Sequence, residues 1–313
     1  MNYDDRYRRY QDLTEGALEE YLPAETAFPP LIHQAMRYSV VGGGKRIRPV
    51  LALATTETLG GDPIEVLPAA CALEMIHAYS LIHDDLPAMD NDDFRRGKPS
   101  NHKAYGEAVA ILAGDALLTH AFYSLAQLKN REPGVVLQVI QEIAHAAGTC
   151  GMIGGQVVDT CPAESTTPTQ SPTQSQPNAQ KAPQERATKE TLDYIHRHKT
   201  GALYRASVRS GAILSGADNK SLAALTDYAE NLGLLFQVVD DILDIEGDQE
   251  KLGKPIGSDL KNQKITYPLL YGITESKKQV TILAEQALTA LTPFGPEADF
   301  LRTLIHRMAN RDR

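Results

Sequence analysis

The sequence predicts an all-helical fold, and three observations carry that prediction. Apolar residues recur at three- and four-residue spacing through most of the chain, few stretches alternate with period two, and the interruptions are helix stops and starts. At 313 residues, 42% of them apolar, the chain can bury a large core.

In order, the periodicity predicts helices over 12–22, 30–40 and 47–59, with Gly42-Gly43-Gly44 parting the second from the third. Gly60-Gly61-Asp62-Pro63 precedes a helix over 65–83. Helices over 107–128 and 134–149 follow, divided by Glu132-Pro133-Gly134. Residues 189–215 and 219–243 flank the break Ser215-Gly216-Ala217-Asp218, and 265–274, 277–291 and 297–309 complete the set, with Thr292-Pro293 before the last. Residues 161–187, rich in Pro, Gln, Ser and Thr, cannot bury enough surface to offset the entropy of ordering and are expected to be a disordered inserted loop. Residues 1–313 otherwise read as one large helical domain.

The net charge of −9 argues against nucleic-acid binding, which needs a basic surface. Cys71, Cys150 and Cys161 are too widely and oddly spaced for a disulfide framework or a zinc site, and are expected to be buried small hydrophobes in a reduced cytoplasm. The charged N-terminus is no secretory signal, and no uncharged apolar run reaches the span of a membrane helix. A soluble, cytoplasmic protein is expected, in which any apolar substrate occupies an internal tunnel.

Two acidic clusters end long apolar runs: Asp84, Asp85 and Asp90 after 78–82, and Asp240, Asp241 and Asp244 after 232–239. Buried carboxylates so crowded need cations to stay ionised. Hard oxygen ligands without a Cys/His cluster point to Mg2+, which keeps positions open for phosphate oxygens. Asp240 and Asp244 stand one turn apart on one helix face, roughly 5–6 Å. Pro87 breaks the first cluster, so its leading acids should lie at a helix C-terminus and Asp90 should splay away. Basic groups stand where phosphates would need them: Lys45, Arg46 and Arg48 after the glycine run, Arg95 and Arg96 after the first acids, and Lys199, Lys254 and Lys264 around the second. His77 lies seven residues before Asp84, on nearly the same face, where it could donate to a phosphate. Counted from the first aspartate of each cluster, Gly97-Lys98-Pro99 and Gly253-Lys254-Pro255 share one offset, a faint internal echo.

These residues resemble the trans-type polyprenyl diphosphate synthase family, and within it the bacterial farnesyl diphosphate synthase group. The motifs that carry the resemblance run in family order over nearly the whole chain: Gly43-Gly44-Lys45-Arg46-Ile47-Arg48-Pro49; Ile76 through Asp90; Leu112-Ala113-Gly114-Asp115; Gly154-Gly155-Gln156; His196-Arg197-His198-Lys199-Thr200-Gly201; Phe236-Gln237 through Asp244; and Lys264-Ile265-Thr266-Tyr267-Pro268. The resemblance implies an all-α helical bundle of the isoprenoid synthase type with a central cavity, usually a homodimer. It implies Mg2+ ligation by Asp84, Asp85, Asp90, Asp240 and Asp244, with Asp84, Asp85, Asp240 and Lys199 carrying catalysis. Lys45, Arg48, His77 and Arg96 would hold the diphosphate of isopentenyl diphosphate, and Arg95, Lys199, Thr200, Gln237, Lys254 and Lys264 the allylic diphosphate. The implied reaction condenses isopentenyl diphosphate with dimethylallyl or geranyl diphosphate, giving farnesyl diphosphate and pyrophosphate in isoprenoid biosynthesis. The loop over 161–187 is longer than the family usually carries.

Product length should follow from the side chain a little over one turn before Asp84, since a helical turn, about 5.4 Å, is close to one isoprene unit. That residue is Tyr79, with Ser80 beside it, and its ring is expected to stop growth at C15. A C20 geranylgeranyl product is the alternative, because Met89 through Asp93 also resemble geranylgeranyl diphosphate synthases. A terpene cyclase would leave Lys45, Arg48 and His77 without a role, a non-catalytic subunit should lack one acid cluster, and a plain scaffold would carry both clusters as a stability cost.

Overall fold

The computed structural model describes residues 1–41, 43–129, 131–161, 188–246 and 264–311, and over them the protein is helical. In chain order the helices are α1 Tyr3–Tyr21, α2 Pro30–Val40, α3 Ile47–Thr58, α4 Leu67–Asp84, α5 Asn101–Tyr105, α6 Glu107–Leu125, α7 Pro133–Ala147, α8 Met152–Thr160 and α9 Lys189–Ile195. A π-helical turn, His196–Thr200, leads into α10 Gly201–Leu214, followed by α11 Asn219–Glu246, α12 Tyr267–Tyr271, α13 Ile273–Ala290 and α14 Asp299–Ala309. The strands are two-residue pieces, β1 Phe94–Arg95 and β2 Lys98–Pro99, paired antiparallel. The expected loop falls almost wholly on residues 162–187, outside the described residues.

Helix α1 begins nine residues before its apolar periodicity does. Asn2 caps it by accepting from the Asp5 N–H at 2.8 Å, and Asp4 and Asp5 complement the dipole of the first turn. Two elements were not expected: α5, too short to show a period, and α8, which fell between the predicted segments 134–149 and 189–215.

The residues group into two compact units. The first comprises Met1–Ala144, Ala206–Thr226 and Leu291–Thr303. Its centre is α4, buried on nearly every side, with α3, α6, α1 and α2 packed against it. The second comprises His145–Arg205, Asp227–Ala290 and Leu304–Arg313, and in it α8 packs on α9 and the π turn.

Two helical stretches, Pro63–Asp84 and Glu107–Leu125, are long and apolar enough to cross a membrane by length and composition. A buried core helix passes the same test, and 78% of the first window is buried within the protein. The cysteine expectation holds only for Cys71. Cys150 and Cys161 are exposed, because they flank α8 at its ends rather than lying along its packed face.

Candidate active site

In the first unit the acids end the central helix. Asp84 is the last residue of α4 and Asp85 its C-cap. Beyond Pro87 the chain folds back, with the Asp90 N–H donating to the Asp84 carbonyl at 2.9 Å and the Met89 and Asn91 N–H groups donating to that of Leu86. Asp90 is therefore not splayed away as expected, since the proline is absorbed in a tight turn that returns to the helix end. Asp85 is 2% exposed and is gripped by Arg95, whose Nε donates to both carboxylate oxygens at 2.9 and 3.3 Å and whose Nη2 adds a third contact. Burial raises the Asp85 carboxyl above its usual range, and the Arg95 guanidinium offsets only part of that rise.

Arg96 and Gly97, both at positive φ, form the turn between β1 and β2. That turn carries the Arg96 guanidinium to the Gly43 carbonyl, at 2.8 Å. Burial and the neighbouring arginines lower the Arg96 pKa. The same crowding acts on His77, held well below the usual imidazole value by burial and then by Arg48, Arg96, Arg95 and Arg46. The positive field that these arginines exert at one imidazole is complementary to a bound anion.

Tyr79 is 5% exposed, and its hydroxyl is buried without a hydrogen-bond partner. Burial, with Asp84 adding to it, pushes its pKa up to about 12. Its ring meets His83 edge-on, 5.7 Å between centroids, and the His83 Nε2 is fixed 3.0 Å from the Ile111 carbonyl. Ser80 turns back to the His77 carbonyl at 2.8 Å.

In the second unit, α11 carries Asp240, Asp241 and Asp244. Asp241 accepts from the Tyr267 N–H at 2.8 Å and from Gln237 Nε2 at 3.3 Å, with His196 Nε2 at 3.4 Å. This ties the segment after Lys264 to the acid helix. Gln237 in turn accepts from the Thr200 hydroxyl at 2.8 Å, so the π turn belongs to the same network. Such π turns shift the hydrogen-bond register locally and are frequent at functional sites. Lys199, on the same turn, meets Asp159 of α8 at 2.5 Å. The turn packs directly on α8 because Gly155 has no side chain: a Cβ there would lie 2.1 Å from the Lys199 backbone nitrogen. Arg311 stands 3.8 Å from Asp240 and lies over the Phe236 ring.

Residues 29–291 match the polyprenyl synthetase family model. The chain belongs to the polyprenyl synthetase family. It is 47% identical over 303 residues to a geranylgeranyl diphosphate synthase of Cyanophora paradoxa, covering 96% of this chain and 94% of that protein. It is 46% identical over 300 residues to a farnesyl diphosphate synthase of Geobacillus stearothermophilus, covering 95% and 94%. Among solved structures, an FPP/GFPP synthase of Zymomonas mobilis superposes with a TM-score of 0.81 at 34% identity, over 98% of this chain and all of that one.

A polyprenyl synthetase is a prenyltransferase, and the fold is the all-α fold of that family. Among the described residues no group of three or more His, Cys, Asp or Glu side chains gathers closely enough to enclose a metal ion. The donor set still fits Mg2+, which takes one or two carboxylates and keeps water and phosphate oxygens. Asp84 with Asp90, and Asp240 with Asp244, are such pairs of hard oxygen donors. Lys254 lies outside the described residues. Asp159 was missed from sequence: only its place four residues after Gly155, and thus on the same helix face, could have pointed to it.

Proposed function

We propose that this prenyltransferase condenses isopentenyl diphosphate with dimethylallyl and then geranyl diphosphate to give farnesyl diphosphate, C15. The observation that carries the reading is that each acidic set has basic or hydrogen-bonding groups in its own unit, Arg95, Arg96 and Arg48 with the neutral His77 in the first, and Lys199 with the neutral Thr200 and Gln237 in the second. Two cationic subsites suit two diphosphates, whereas a cyclase needs one. The chain is proposed to act as one catalytic domain over 1–313.

Arg95, Lys199, Thr200 and Gln237, with Lys254 and Lys264, hold the allylic diphosphate, and the basic ones among them stabilise the charge that grows on its leaving oxygen as the carbon–oxygen bond breaks. Lys45, Arg48, His77 and Arg96 hold isopentenyl diphosphate with its double bond at bonding distance from the allylic cation. The new carbon–carbon bond leaves a tertiary cation, and loss of a proton to the departed pyrophosphate completes the product. Mg2+, held by Asp84 and Asp90 and by Asp240 and Asp244, would supply Lewis-acid neutralisation of diphosphate charge. Asp85, expected among the ligands, is reassigned to holding Arg95, because its carboxylate is engaged there.

A homodimer is proposed through the exposed apolar residues Ile111, Leu112 and Tyr123 of α6 and Leu137 of α7, which lie 44–61% exposed. Cytoplasmic residence is retained as a proposal. The identities to both farnesyl and geranylgeranyl synthases keep C20 as the second reading. Incubation of purified protein with MgCl2, isopentenyl diphosphate and dimethylallyl diphosphate tests it. A C15 product is expected, a C20 product favours the second reading, and no condensation refutes both.

A further inference from the structure

Helix α1 lies ahead of the family match, which begins at residue 29, yet it reaches the glycine-rich basic turn with three side chains. Tyr7, Gln11 and Glu15 are spaced by four and so form a row on one helix face. The Tyr7 hydroxyl donates to the Lys45 carbonyl at 2.6 Å. The Gln11 amide donates to the Gly44 carbonyl at 3.2 Å and, more weakly, to that of Lys45 at 3.5 Å. Glu15 accepts from the Arg46 guanidinium through both oxygens, at 2.8 and 3.2 Å.

Arg46 needs that support. It is 2% exposed and sits at φ +50°, a strained region for a side-chain-bearing residue. Glu74 of α4 takes its other nitrogen at 2.6 Å. Arg96 in addition holds the Gly43 carbonyl, and a Cβ on Gly44 would stand 2.7 Å from that guanidinium.

In a trans peptide the carbonyl and the N–H point in opposite directions. With the Gly44 and Lys45 carbonyls drawn toward α1, the N–H groups of Lys45 and Arg46 are turned away from it together. Successive N–H groups on one edge make an anion cradle.

We infer that Tyr7, Gln11 and Glu15 are positioning residues for the isopentenyl diphosphate subsite, a row that sets the basic turn in its anion-binding conformation from outside the family-defining segment. The inference rests on the proposal that Lys45 and Arg48 take that diphosphate. None of the three touches substrate; each acts through the backbone or side chain of the turn.

Steady-state kinetics of the full chain test this with Tyr7→Phe, Gln11→Ala, their double variant and Glu15→Gln, and with the exposed Asp12→Ala as the control on the same helix. Each lost bond should raise KM for isopentenyl diphosphate roughly three- to tenfold, leaving kcat and the KM for the allylic substrate unchanged. Asp12→Ala should leave all three unchanged. Should Glu15→Gln fail to fold, Tyr7→Phe, which loses one hydroxyl, decides. An unmoved KM for isopentenyl diphosphate in the double variant, or equal rises for both substrates, overturns the inference. Failure of the parent chain to condense the substrates overturns the proposed function on which it stands, an outcome distinct from active enzyme with unmoved KM.

Discussion

Tyr79→Ala tests the product-length argument where structure gives it a size. The ring lies five residues before Asp84 on α4, about 7.5 Å along the helix, and it is 5% exposed. His83, fixed on the Ile111 carbonyl, braces it edge-on, so the ring cannot swing aside without losing that contact. Truncation removes roughly seven heavy atoms, more than the five carbons of an isoprene unit, and should admit at least one further unit. Truncating a buried ring costs about 3–5 kcal/mol. Here the unpartnered hydroxyl is removed as well, which returns about 1–3 kcal/mol. The net loss should be about 2 kcal/mol, a fall in Tm of several degrees. Tyr79→Phe keeps the ring and should be as stable as the parent or more so, with the product unchanged. Chromatography of dephosphorylated products, beside thermal melts, reads both quantities. Unchanged product length in Tyr79→Ala, or a longer product from Tyr79→Phe, would refute the claim that the ring is the stop.

The two neighbouring aspartates of α11 should separate by assay. Asp240→Asn is expected to lower kcat roughly a hundredfold or more with Tm unmoved, whereas Asp241→Ala should cost about 1–3 kcal/mol in thermal or denaturant melts by orphaning the Tyr267 N–H. His77 has a depressed folded-state pKa, so below its unfolded value of about 6.5 the unfolded chain binds the extra proton and stability falls as pH drops. His77→Gln should flatten that acid-side slope in melts taken from pH 7 to pH 5, and an unchanged slope would exclude the histidine as its source. Ellman titration of native protein should show Cys150 and Cys161 reacting at once and Cys71, buried with its thiol pKa pushed up, only after denaturation.

The long helices were legible because one apolar period per element survives in the sequence, and the ends of α3, α4 and α10 were legible because glycine and proline mark them. The start of α1 was not, because Asp4, Asp5, Arg6, Arg8 and Arg9 dilute the apolar count there, and the cap at Asn2 lies ahead of any stripe. Helix α8 is short and glycine-containing, so it shows little apolar period, and one of those glycines, Gly155, is required by its packing against the backbone of Lys199. The π turn has no compositional mark, since a register shift depends on what packs against the turn. Candidate site residues were legible as types and spacings, but not their pairings. Nothing local to Lys199 names Asp159, forty residues earlier, and nothing local to Lys45 names Tyr7.

The paired aspartates show how far spacing alone can carry a site. Adjacent residues on a helix project about 100° apart, so Asp84 and Asp85, or Asp240 and Asp241, cannot both serve one direction. In both pairs the second member is nearly buried and engaged by protein, Asp85 by Arg95 and Asp241 by the Tyr267 N–H, Gln237 and His196. The first member is more exposed in both. The two pairs thus repeat one arrangement, a buried second carboxylate held by protein groups beside a more exposed first one. One carboxylate anchors a neighbouring segment, the strand of Arg95 in one case and the segment that follows Lys264 in the other, and under the proposed function its neighbour is the one that acts on diphosphate. On this division Asp85→Asn should act mainly through Arg95, raising KM for the allylic substrate more than it lowers kcat. Asp84→Asn should do the reverse, and equal effects of the two variants on kcat would return Asp85 to the set of metal ligands.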